Sequence, residues 1–281
     1  MASALEEGVK WTYDAKSGAW SKTRVRVMID GRPFARGSLR ACHRAWEVDA
    51  QGARSEFVAK FNEVGDDSVC LADVKAQAVA EDLAQDFNRE GSGAGAKVAF
   101  LPCWALELPQ RSCFCCGEPR LQGKYTKHSD NDGGVFGSRA QVAHAFSHFT
   151  YAATRGELIV VDIQGVQDYF TDPQIHTARG AESKFGLGNL GAEGISKFLA
   201  THRCGAECKR RGLDRPGNGN RKNPSRPPSH AQPPPPRRAG PPVKSAGTVL
   251  AERIRADQER SFADIDAQLA RQLDRELNHG L

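Results

Sequence analysis

Between His148 and Cys208 the chain reads HFTYAATRGELIVVDIQGVQDYFTDPQIHT and, after a short spacer, FGLGNLGAEGISKFLATHRCGAEC. This segment constrains the fold more than any other. Glu157-Leu-Ile-Val-Val161 is a continuous apolar strand that runs straight into Asp162, as a buried strand does where it meets a site. Asp172 follows in a Thr-Asp-Pro turn. Next come the glycine-rich turn Gly186-x-Gly188-x-x-Gly191 and the run His202-x-Cys204-x-x-x-Cys208. Polar and special-backbone residues at this density cost stability unless chemistry or a metal offsets the cost.

The rest of the chain frames that segment. TRVRVMID (23–30), SLRACHRAWEV (38–48) and SEFVAKF (55–61) alternate apolar and polar residues and predict half-buried antiparallel strands separated by turns. LADVKAQAVAEDLAQDFNR (71–89) has apolar residues at helical spacing and predicts a helix packed on that sheet. VAFLPCWALEL (98–108) and SCFCCGE (112–118) predict further strands. GKYTKHSDNDGGV (123–135) carries turn chemistry, and 138–155 and 191–203 read as helices, the second capped near Asn189. The stretch 214–247 holds ten of the fifteen prolines and predicts a disordered or polyproline linker. Residues 248–281 place Leu250, Ile254, Ile265, Leu269, Leu273 and Leu277 among dense mixed charge. They predict an amphipathic helix that packs back, pairs with itself or docks a partner.

Charge and cysteine usage narrow the function classes. The net charge of +5 is carried by Arg203–Lys244, where eleven Lys/Arg face two acids, so the remainder is mildly acidic. That argues against a nucleic-acid partner, which needs a basic face on a folded module. No window approaches the ~18 consecutive apolar residues of a membrane span, so a soluble, cytoplasmic protein is expected, with no membrane partner. Of the eight cysteines, Cys113, Cys115 and Cys116 read as core residues of a strand. Only Cys204 and Cys208 have metal-like surroundings.

Three constellations carry chemistry. Asp162, Gln164 two residues on, and Asp172 are oxygen ligands of the kind that hold magnesium. Phosphoryl transfer needs such oxygens, plus a carboxylate to accept the attacking hydroxyl's proton. Spacing alone leaves open which acid is the base. Lys60, in Phe57-Val-Ala-Lys60-Phe, costs desolvation unless an anion meets it, and Val58-Ala59-Lys60 is similar to the lysine strand of protein kinases. The Gly186/Gly188/Gly191 spacing matches a dinucleotide fingerprint by letter, but no apolar strand precedes it. Its glycines instead let backbone N–H groups approach a phosphate or a substrate chain. If 191–208 is largely helical, Cys204 and Cys208 share a face. With His202 they suit zinc, and either His148 or His144 completes the set.

AFSHFTY, GELIVVDIQGVQDYFTDPQIHT, FGLGNLGAEGISKF and THRCGAEC resemble signatures of the alpha-kinase family, among whose members are the myosin heavy chain and elongation factor 2 kinases. So, upstream, do RPFARGSLRACHRA, FVAKF and ADVKAQAVAEDLAQDFN. The resemblance spans residues 9–213. It implies an α+β, two-lobed protein-kinase-like fold, with a sheet-rich N-lobe (9–117) and a zinc-stabilised C-lobe (118–213). It also implies a Ser/Thr protein kinase that uses ATP and magnesium on a protein substrate of the myosin heavy chain or elongation factor 2 kind. Lys60 then stands at the ATP phosphates and Asp162 is the catalytic carboxylate. Gln164 and Asp172 hold magnesium, and Arg40 in the phosphate loop supports the nucleotide. Glu118 sits at the interlobe hinge, where backbone groups meet the adenine. Gly186, Gly188 and Gly191 support the peptide. His148, His202, Cys204 and Cys208 bind structural zinc. The competing reading is a catalytically inactive scaffold of the same fold.

Overall fold

The computed structural model describes residues 4–37, 40–63, 67–90, 96–137, 140–179 and 185–213. The linker 214–247 and the segment 248–281 lie outside them. The chain opens with β1 (Leu5–Asp14), β2 (Ala19–Ile29), β3 (Ala35–Arg36), β4 (Arg40–Val48) and β5 (Arg54–Asn62). After α1 (Asp67–Glu90) come β6 (Ala99–Phe100), β7 (Trp104–Leu108) and β8 (Cys113–Pro119). Seven of these strands form one antiparallel sheet in the order β2-β1-β7-β8-β5-β4-β3, and β2 also pairs with β4, so the sheet curls onto itself. The alternation read in the sequence is what buries Val25, Val27 and Ile29 while Arg24 and Arg26 face outward. Gly117 lies flat under Trp104, whose Nε1 lies 2.2 Å from where a Cβ would be.

The second half contains β9 (Thr126–Lys127), α2 (Ala140–Ala153), β10 (Leu158–Val161), β11 (Gln164–Val166), β12 (Tyr169–Thr171) and β13 (Gln174–Thr177). It closes with α3 (Gly191–Thr201) and α4 (Ala206–Arg210). A four-stranded sheet runs β6-β12-β11-β9, and β10 pairs with β13.

Residues 98–108, expected as one strand, are two. β6 pairs in parallel with β12 in the small sheet, whereas β7 belongs to the large one. The break falls at Leu101–Cys103, where Pro102 has no N–H to continue a ladder. α1 is likewise shared. Cys70 and Val74 pack against Ala105 and Cys116 of the large sheet, while Leu83 and Phe87 enter the second core with Phe146 and Phe149 of α2. One helix therefore fixes the two halves against each other. Among the described residues, no helix is long and apolar enough to cross a membrane.

Candidate active site

Lys60 projects from β5 into the seam between the halves. Its Nζ lies 2.7 Å from Glu118 Oε1 and 2.8 Å from Asp172 Oδ2. The Thr171 hydroxyl accepts a further bond from it at 3.3 Å and donates to Glu118 Oε2. Arg40, the first residue of β4, donates to Asp172 Oδ1 at 2.5 Å and to Asp73 Oδ2 of α1 at 2.6 Å. The Asp172 N–H donates to Gln77 Oε1 at 3.0 Å, and Gln77 Nε2 donates to the Leu101 carbonyl at 2.8 Å. Asp172 is thus held by two cations through its side chain and by α1 through its backbone.

Asp162 ends β10 with φ at 57°, and Asp172 follows β12 with φ at 52°. Left-handed backbone at non-glycine residues costs energy and recurs where geometry serves function. Here it also decides how Asp162 and Gln164 come together. The strand does not run through both residues. The chain turns at Asp162, and Gln164 Nε2 then donates back to Asp162 Oδ2 at 3.1 Å. The Lys127 ammonium on β9 meets Asp162 Oδ1 at 2.7 Å.

The two acids are placed in different electrostatic surroundings. Burial pushes the Asp162 carboxyl above the ordinary carboxylate range, against the pull of Lys127. Burial acts the same way on Asp172, but Lys60 and Arg40 overcome it and hold that carboxyl at about 2. Burial raises Glu118 too, with Lys60 opposing. These groups line a cleft of about 660 Å³ that also takes in Cys42, Tyr125, Gln174 and Gly188, a size that suits a nucleotide. The oxygens of Asp172, Gln164 and Asp162 form the kind of donor set that suits magnesium.

The glycine turn divides. Gly188 reaches the cleft rim, flush against the Gln174 amide. Gly186 packs beside Asp73, and Gly191 begins α3, its N–H donating to Asn189 Oδ1 at 2.9 Å. Beneath the turn, His176 is fully buried. Its Nε2–H donates to the Asn131 carbonyl at 2.9 Å and its Nδ1 accepts the Leu190 N–H at 3.1 Å. A Cβ on Gly194 would stand 2.4 Å from this fixed ring. Gly194→Ala is therefore expected to destabilise by about 1–3 kcal/mol, despite the better helix propensity of alanine. Thermal unfolding of the variant checks this, and an unchanged Tm would show that the ring can move aside.

Behind the cleft, His148, His202, Cys204 and Cys208 offer ligand atoms that all lie within 4.8 Å of one another. Cys204 Sγ is 3.5 Å from His202 Nε2 and 3.8 Å from His148 Nδ1, and Cys208 Sγ is 3.7 Å from His202 Nε2. Zinc bonds of ~2.0–2.3 Å in a tetrahedron put neighbouring ligands roughly 3.5 Å apart, so the donor set fits zinc. His144 stands outside the four, its Nδ1 facing His202 Nδ1 at 3.4 Å. The helix expected over 191–203 is present, but it does not run on to Cys208, as a shared face for Cys204 and Cys208 would require. α3 ends at Thr201, His202 is extended at φ −61° and ψ 132°, and α4 starts at Ala206. Cys204 therefore reaches the cluster from a link between helices, not from a shared helical face. Burial, with His148 and His144 nearby, lowers His202 to about 4, which keeps its imidazole neutral as a ligand must be.

Sequence reasoning missed Asp73, Gln77, Lys127 and Thr171, and for Glu118 it missed the side chain. Gln77, buried on the apolar face of α1, left a signal as a polar break in that face. Lys127 lies in a turn-rich stretch and left none. Arg40 stands at the start of β4, within the stretch 38–48 expected as a strand.

The Alpha-kinase family profile matches residues 35–208. Alpha-protein kinase 1 of Dictyostelium discoideum is 39% identical over 238 residues, covering 82% of this chain and 17% of that protein. Eukaryotic elongation factor 2 kinase of Mus musculus is 35% identical over 224 residues, covering 75% of this chain and 30% of that protein. The chain thus spans less than a third of the length of these curated relatives. Among solved structures, the alpha-kinase domain of myosin heavy chain kinase A in complex with AMP superposes with a TM-score of 0.69 at 32% identity, covering 75% of this chain and all of that one. The AMP-PNP complex of the same domain gives the same score and identity.

Proposed function

This chain belongs to the alpha-kinase family, and we propose on that premise that it is an ATP-dependent Ser/Thr protein kinase. The observation that carries the reading is the convergence of Lys60, Arg40, Glu118, Asp172 and Asp162 on one cleft. Lys60 and Arg40 supply the positive charge that meets the phosphates of the nucleotide. Asp172 and Gln164 would hold magnesium, which would supply neutralising charge to the transferred phosphoryl group. Asp172, kept ionised by two cations, is a poor proton acceptor. Asp162, raised by burial, is the better base for the substrate hydroxyl. Lys127 orients it. Gly188 and its neighbours support the peptide, and zinc at His148, His202, Cys204 and Cys208 ties the end of the domain to α2.

Relatives named for myosin heavy chain and for elongation factor 2 make those two proteins the first substrates to try. Incubating the chain with radiolabelled ATP, magnesium and each protein should give label on serine or threonine. Nucleotide binding with no transfer to any protein hydroxyl would overturn the reading and leave the inactive scaffold.

A further inference from the structure

Three cysteines from three separate parts of the chain meet behind Lys60. Cys70 lies in the first turn of α1, Cys103 just before β7, and Cys116 on β8. Cys70 and Cys116 are buried and Cys103 is half-buried. Cys70 Sγ and Cys116 Sγ stand 2.9 Å apart, and a covalent bridge needs ~2.05 Å. The sheet register sets Cys116 directly beside Lys60. The remaining shell is apolar, with Val74, Ala105 and Phe114 around the sulfurs.

We propose that Cys70 and Cys116 are a redox modification site that closes to a reversible disulfide on exposure to a peroxide. The Cys116 thiolate attacks the peroxide, forming an S–O bond and releasing hydroxide. The Cys70 thiol then displaces the sulfenic oxygen as water, forming the S–S bond. Overall, two thiols and one hydrogen peroxide give one disulfide and two waters. Each sulfur loses one electron and the peroxide gains two. Cys116 is the sulfur that loses its proton first, because its contacts with the Cys103 and Cys70 thiols favour its thiolate, with Arg40 and Lys60 adding positive charge. Of the three, Cys103 is the least buried.

The bridge fastens the two elements that position the cleft's cations. Asp73, one helical turn beyond Cys70, pairs with Arg40. Glu118, two residues beyond Cys116, pairs with Lys60. Oxidation therefore holds α1 against β8 and constrains the unfolded chain. The proposal does not depend on kinase activity.

The test treats the full chain with hydrogen peroxide, caps free thiols with an alkylating agent, and maps the unreduced peptides. A species lighter by two hydrogens, with Cys70 joined to Cys116, is expected. Its Tm should be about 5–10 °C higher, and dithiothreitol should reverse the rise. Cys70→Ser and Cys116→Ser should each abolish the bridge, and Cys103→Ser should keep it. Full alkylation of Cys70 and Cys116 after treatment, oxygen adducts alone, or a bridge only between other cysteines such as Cys204 and Cys208 would overturn the proposal. The mapping uses the unaltered sequence, so its outcome decides the matter even if a variant fails to fold.

Discussion

Replacing Lys60 with methionine is expected to lower phosphoryl transfer by about 10²–10³-fold and to destabilise the fold by about 3–5 kcal/mol. The two effects share one cause. Lys60 Nζ stands between Glu118 and Asp172, so the variant loses its phosphate contact and leaves Glu118 buried without a cation. Glu118 then relieves the strain by taking up a proton, since burial already raises its pKa. A carboxyl whose folded pKa is raised binds more protons in the native state than in the unfolded one. The variant's stability deficit should therefore be small at acid pH and grow as pH rises through that folded value. Asp162→Asn makes the contrast. It should lower turnover by about 10²–10⁴-fold while leaving Tm near that of the parent, because the amide keeps the shape and removes a charge that burial disfavours. Transfer assays and thermal unfolding at two pH values separate the cases. Full turnover in Lys60→Met would show that the observed convergence has no catalytic role.

Removing the proposed zinc should have the largest effect on stability. His148 comes from α2, His202 and Cys204 from the link after α3, and Cys208 from α4. Closing the 148–208 stretch onto one ion ties the last two helices to the centre of the second core. Cys208→Ser, or prolonged chelation, should cost several kcal/mol, which for a domain of this size lowers Tm by about 10 °C or more. Metal analysis should find one zinc per chain in the parent and none in the variant. Burial raises the Cys208 thiol to about 11, so a bound ion must displace its proton, and zinc should leave as pH falls. A parent that lacks zinc and is insensitive to chelators would refute the assignment.

Lys60, Asp162 and Asp172 were legible because each interrupts an apolar or turn pattern that has no use for a charge. The strands β2, β4 and β5 and the helix α1 were legible by period. The four residues proposed to hold zinc were legible as residue types, but not the route by which they meet. The helix expected over 191–203 stops at Thr201, and only the link that follows brings Cys204 to His148. The split of 98–108 between two sheets was hidden for a similar reason. Both pieces are apolar, and periodicity does not say which sheet a strand joins.

Local chemistry along the chain determined the parts: which segments bury, where turns fall, and which side chains are too costly to keep without a partner. Tertiary packing alone decided the partnerships. Arg40 meets Asp172 across 132 positions, Lys60 meets it across 112, and Glu118 lies beside Lys60 only because β5 and β8 pair in one register. A charge's need for a counter-charge is written in its own residue type. Its choice among many is set by the few Å that separate elements after folding, and no spacing along the sequence encodes that distance.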